Sequence, residues 1–179
     1  DTAVQHYESS QSSLKVGMDP FVHAASVAKE FQDSFKEAAE KELGMDATQI
    51  GVLETSNENL IDPIWGTDRP EIPFNPFRVH PIEYAGVTNA NKIVKIRKEM
   101  KAKKATLAVF CTLDDVAYLL NVRSTGDVDT CPVGIAYATV SMDEVTLYCD
   151  DRKVQDPIVK EHLKDVTMKP YDGVVADIR

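Results

Sequence analysis

Residues 119–127 (LLNVRSTGD) carry the grouping most suited to chemistry. A short apolar run ends there and delivers Asn121, Arg123 and Asp127 into a polar stretch. An amide, a guanidinium and a carboxylate in one loop can grip a ligand or a neighbouring domain. They can equally brace the loop itself, as an internal Arg123–Asp127 pair. The residues alone leave both readings open.

Other reactive side chains are scattered. The four histidines, His6, His23, His80 and His162, have no histidine partner at i+4 and no H-E-x-x-H frame. His162 reads as a helix-surface residue, and His80, before Pro81, as one bonded to nearby backbone. The acid pairs Asp114–Asp115, Asp127/Asp129 and Asp150–Asp151 are the only grouping that suggests a divalent metal, as in a metal-dependent nuclease. Asp115 is already explained as part of a helix cap, and Asp150–Asp151 as a turn. Of the cysteines, Cys111 ends an apolar run and reads as buried filler. Cys131 lacks an identifiable base, and no C-x-x-C pair including Cys149 exists. No G-x-S-x-G, G-x-G-x-x-G or P-loop occurs. The expectation is a chain with no catalytic centre, no metal ligands and no cofactor of its own.

Several elements must position these residues. Leu14–Val16 suits a short strand and residues 17–20 (GMDP) a turn. Val27, Phe31, Phe35, Ala38 and Ala39 form the apolar stripe of a helix capped at Ser26 and ended by Gly44. The stripe is too wide to stay solvated and predicts packing on a neighbouring chain or on the following domain. Residues 50–53 suit a strand. Residues 54–88 hold five of the nine prolines, which exclude a regular helix or central strand over most of the stretch. They also hold Trp65, Phe74, Phe77 and Tyr84, so the segment reads as an extended connector with aromatic anchors.

Beyond it the pattern is regular. Thr88 or Asn89 caps a helix to about Lys103, with Ile93, Ile96 and Met100 on one face. Residues 106–111 (TLAVFC) suit a strand covered on both sides. Thr112 and Asp115 form a capping-box pattern ahead of a short apolar helix, and residues 121–130 read as a loop. Residues 133–140 and 144–149 form a hairpin about Ser141, Met142 and Asp143. Pro157 starts a helix through Leu163, residues 166–168 suit a strand, and residues 171–179 a final helix. This alternation predicts an α/β fold with helices on both faces of a mixed sheet.

Composition sets the outer limits. A 43% hydrophobic share supports a packed core, and no apolar run is long enough for a membrane span. The net charge of −9 opposes a general nucleic-acid surface. Lys92, Lys95, Arg97, Lys98, Lys101, Lys103 and Lys104 face a single acid, Glu99, and read as a solvated helix face. A polar start without an apolar signal segment, and an odd cysteine count, point to the cytoplasm.

The motif order resembles one family. Asn59, Leu60, Ile61, Asp62, Pro63, Ile64 and Trp65, then Asp68, Arg69 and Pro70, are similar to the connector of three-domain aminopeptidases P (Xaa-Pro aminopeptidases). Tyr84–Gly86, residues 113–121 (LDDVAYLLN), Arg123, Asp127–Val128, Pro132–Val133 and Tyr137–Ala138 continue the match. Gly17–Pro20 matches the G-x-D-P late in the family's first domain. Tyr118 stands for the family's Trp, Ser124 for Gly and Cys131 for Asn.

The resemblance implies a three-layer αβα, ribonuclease-H-like creatinase/prolidase N-terminal domain. Residues 1–58 would be the C-terminal remnant of a first such domain and residues 59–179 a second. The catalytic pita-bread domain, a metallopeptidase (hydrolase) unit with two divalent ions, expected to be manganese, would be absent. The parent would remove the N-terminal residue from peptides with proline at position two. This portion would serve dimerisation and enclosure of the substrate site. Its implied partners are its own catalytic domain, a second subunit in a homodimer and the peptide substrate, with no nucleic acid and no membrane. Asn121, Arg123 and Asp127 would make substrate or interdomain contacts, and Trp65 and Arg69 would anchor the connector. The alternative is a non-enzymatic peptide- or histone-binding module of aminopeptidase-like fold.

Overall fold

The computed structural model describes residues 5, 9–10, 12, 14–46, 51–56 and 59–179; His6, most of the polar arm and Ile50 lie outside the described residues. The chain divides into two compact units, Asp1–Pro70 and Glu71–Arg179, so the stretch from 59 to 70 goes with the first.

In the first unit, β1 (Leu14–Met18) and β2 (Gly51–Thr55) pair in parallel. A parallel pair needs a crossover, and α1 (Ala25–Ala38) stands between them in sequence, widening into a π turn over Ala39–Leu43. The N-cap is Ala24 rather than Ser26, with no side-chain cap bond. Ala25 is a strong helix former, and nothing between it and Ser26 interrupts the helix. Gly44 closes the far end at φ 61°, and the Met45 amide reaches back to the Ala39 carbonyl at 3.1 Å. Ala39 is fully buried among Leu14, Phe35, Ala38, Leu43 and Met45. Phe31, from the same stripe, is exposed.

The proline-rich segment contains more regular structure than its prolines suggest. α2 (Ile61–Trp65) forms because Pro63 sits in the first turn, where a missing N–H costs nothing. Asn59 Oδ1 accepts from the Ile61 amide at 2.9 Å to start it. A 3-10 turn, Gly66–Asp68, follows, and Arg69 returns to Asp62 at 2.7 Å. Trp65 remains half-exposed.

The second unit has a four-stranded mixed sheet ordered β4 (Leu107–Phe110), β6 (Tyr137–Ser141), β7 (Val145–Tyr148), β8 (Thr167–Lys169). The first three are antiparallel neighbours, and β8 is parallel to β7. A separate ribbon pairs β3 (Phe77–Val79) with β5 (Val122–Ser124), a strand inside the stretch read as loop. Val122 and Phe77 are buried, which explains why an apparently polar segment extends there. The helices are α3 (Ile82–Ala85), α4 (Asn89–Ala102), α5 (Leu113–Leu120), α6 (Pro157–His162) and α7 (Val174–Ile178).

Register sorts the sheet residues by face. Ala108, Phe110, Ala138, Val140, Val145 and Leu147 join the main core with Ile93, Ile96 and Met100 of α4, Val116, Leu119 and Leu120 of α5, and Val159 of α6. Burying these side chains supplies the main stabilisation, at roughly 25 cal/mol per Å² of apolar surface. On the opposite face Tyr148 hydrogen-bonds Asp177 of α7 at 2.8 Å. Helices therefore flank both faces of the sheet. Strand β4 lies at the sheet edge, and Leu107 and Val109 on its second face are exposed, so it is not covered on both sides as its apolar run suggested. Beside the ribbon, a Cβ on Gly134 would lie 2.3 Å from the Phe77 ring, so glycine is what allows that approach.

Candidate functional site

Asn121 sits at the C-terminus of α5 in the left-handed region, at φ 52°. Asparagine tolerates this better than most residues. Its side chain turns inward: Nδ2 donates to the Val87 carbonyl at 2.9 Å, and Oδ1 accepts from Lys92 Nζ at 2.6 Å. Its own carbonyl accepts from the His80 amide at 2.8 Å. The residue is only 3% exposed, so it ties three chain segments together rather than facing a ligand.

The end of α5 collects positive donors. Lys92 Nζ also bonds the Tyr118 carbonyl at 2.6 Å and lies 3.6 Å from the centre of the Tyr118 ring. Arg123 Nη1 bonds the Ala117 carbonyl at 2.8 Å. His162 Nε2 lies 2.7 Å from the Leu120 carbonyl, which assigns the proton to that nitrogen. The unpaired carbonyls and the negative end of the helix dipole favour such partners. Lys92 and His162 are thus not the surface residues their sequence positions suggested. Burial first, then the Arg123 charge, lowers the Lys92 pKa. Lys92 was detectable in principle, because it precedes Ile96 and Met100 by one and two helical repeats on the same stripe.

Asp127 is the second centre. Its Oδ1 accepts from the Asn75 amide at 2.9 Å and its Oδ2 from the Ile135 amide at 2.8 Å. Lys153 pairs with the same carboxylate, and both side chains are essentially unexposed. Burial alone would raise the Asp127 pKa, but the Lys153 hydrogen bond, the Ile135 amide and the Lys153 charge together hold it below the ordinary value. The predicted internal partner Arg123 is not involved, since it bonds the Ala117 and Val122 carbonyls instead. Lys153 and Asn75 carried no signal in the sequence, because their roles depend on segments brought together by the fold. The three residues singled out therefore do not converge on one ligand point: Asn121 and Asp127 are internal braces, and Arg123 is half-buried beside them.

Several of the remaining candidates are also engaged, whereas Cys111, read as buried filler, is exposed at the end of edge strand β4. Thr112 Oγ1 donates to Asp115 at 2.5 Å. Arg152 holds Asp150, lowering its pKa to about 2. Burial pushes the Cys149 thiol up to about 12, which removes thiolate chemistry at neutral pH. Among the described residues, no group of three or more His, Cys, Asp or Glu could hold a metal ion. The donors among the described residues do not fit a metal pair. Two of the larger cavities among the described residues are a cleft of about 470 Å³ beside Ile72, Ile135, Met168 and Tyr171, and an apolar groove of about 510 Å³ between α4 and α5 over β4.

Residues 68–179 match the family model of the creatinase/prolidase N-terminal domain. The chain belongs to this family. Over 173 residues, 96% of the chain, it is 38% identical to a probable Xaa-Pro aminopeptidase P of Talaromyces stipitatus. The corresponding Penicillium rubens protein is 37% identical over 95% of the chain. Crystallographic X-prolyl aminopeptidase from Caenorhabditis elegans, described as a cytosolic enzyme with a di-nuclear active site, superposes over 99% of this chain with a TM-score of 0.80 at 27% identity. The chain spans about a quarter of these proteins: 24%, 26% and 27% of their respective lengths. The creatinase-type mixed α/β fold is thus shared along nearly the whole chain.

Proposed function

We propose that this chain is the non-catalytic N-terminal portion of a metal-dependent aminopeptidase that removes the N-terminal residue from peptides with proline at position two. The observation that carries the reading is 38% identity, across 96% of this chain, to an Xaa-Pro aminopeptidase P. In this reading residues 1–58 end a first creatinase-like domain, residues 59–179 form most of a second, and a separate catalytic domain supplies two metal ions, manganese by preference. The portion supports a cytoplasmic homodimer and helps to enclose the substrate. Arg123 is the member of the original trio left partly exposed to meet the catalytic domain or substrate.

The test compares this chain with the longer protein on an Arg-Pro-Pro peptide, with manganese added. Turnover is expected from the longer protein alone. Robust turnover by the purified 179-residue chain would falsify the division of labour. An inactive longer protein that still binds peptides or histones would favour a non-enzymatic module.

A further inference from the structure

We infer that Arg78 and Arg123, side by side across the β3–β5 ribbon, form a docking point for an acidic polypeptide segment. The two are directly opposed in register, in the middle of a three-residue antiparallel pair. Their neighbours Phe77 and Val122 are buried, so the arginines occupy the outer face. Like charges directly opposed across a ribbon are destabilising. A carboxylate between them removes the repulsion and suits the planar donors of both guanidinium groups.

The surroundings hold the positive charge in place. Arg123 is oriented by the carbonyls of Ala117 and Val122, each at 2.8 Å through Nη1. Neither arginine has a carboxylate partner among the described residues, and Arg78 is exposed. His80 lies in the same field: burial, then Arg123, Arg78 and Lys92, lower its pKa. Lys92 is paired with the Asn121 amide and the Tyr118 carbonyl, not with an acid. The chain has 29 acids against 20 bases, yet among the described residues none pairs with this group of cations. The dipole of α5 offsets part of the Arg123 charge but not that of Arg78. Neither larger cavity is lined by Arg78 or Arg123, so the face suits a segment laid across it rather than an enclosed small molecule.

The experiment titrates the 179-residue chain with a terminally blocked hexaglutamate peptide at about 10 mM salt, followed by NMR. Binding should shift the His80 ring resonances and weaken steeply with added salt. Arg78→Glu should lower the affinity at least about tenfold, and Arg78→Gln by a smaller factor. The Arg78 side chain is exposed and makes no hydrogen bond or ion pair among the described residues, so both variants should keep the wild-type far-ultraviolet circular dichroism. Glutarate and inorganic phosphate serve as small-anion controls and should bind more weakly than the peptide. The inference fails if hexaglutamate does not bind, if it binds without shifting His80, if Arg78→Glu binds like wild type, or if phosphate binds as tightly as the peptide.

Discussion

Single residues in this domain carry loads out of proportion to their exposure. Asp127 and Lys153 are both essentially unexposed, and each is costly to leave without the other. Asp127→Asn should therefore destabilise the domain by about 3–5 kcal/mol in urea unfolding. The double variant Asp127→Asn, Lys153→Met should recover part of that loss, because no buried charge is then stranded. A near-neutral single variant would show that the pair contributes little. The pH dependence has a defined sign. The folded pKa of Asp127 is depressed, so its contribution is fully present above the unfolded value of about 3.9. It is lost as pH falls through the lower folded value. The stability gap between wild type and Asp127→Asn should accordingly narrow in acid; a gap that widens below pH about 4 would contradict the assignment.

Elements show where local rules sufficed. Thr88 caps α4 as its sequence indicated, with Oγ1 accepting from the Asn91 amide at 3.2 Å. The hairpin turns where expected, with Ser141 Oγ accepting from the Glu144 amide at 2.9 Å. Strand β5 was hidden because three residues are too few for a periodic signal, and its reason to extend is its pairing with Phe77–Val79 of β3, far away along the chain. Gly134 belongs to the same contact. Gly134→Ala should cost on the order of 1–3 kcal/mol through displacement of the Phe77 ring. Unchanged stability on chemical denaturation would mean that the ring moves aside freely.

At the scale of the molecule, the two apolar clusters share no residue. One is centred on Ala39, and the other runs from Phe77 to Val166. Residues 71–179 should consequently fold alone and unfold cooperatively in urea, since their core is self-contained. A non-cooperative transition for that piece would show that it depends on residues 1–70.

The sequence by itself determined the helices and strands of the second unit from α4 onward apart from β5, the Thr88 cap, the hairpin turn and the family likeness. These features are written in neighbouring residues: periodicity, a capping threonine, a proline, a motif. Only the tertiary structure decided what Asn121, Asp127, Lys92 and His162 do. A side chain's partner is set by which distant backbone arrives beside it, and the carbonyls closing α5 and the amides of Asn75 and Ile135 leave no mark on the residues that bind them. The same holds for Arg78 and Arg123, distant in sequence and adjacent in register.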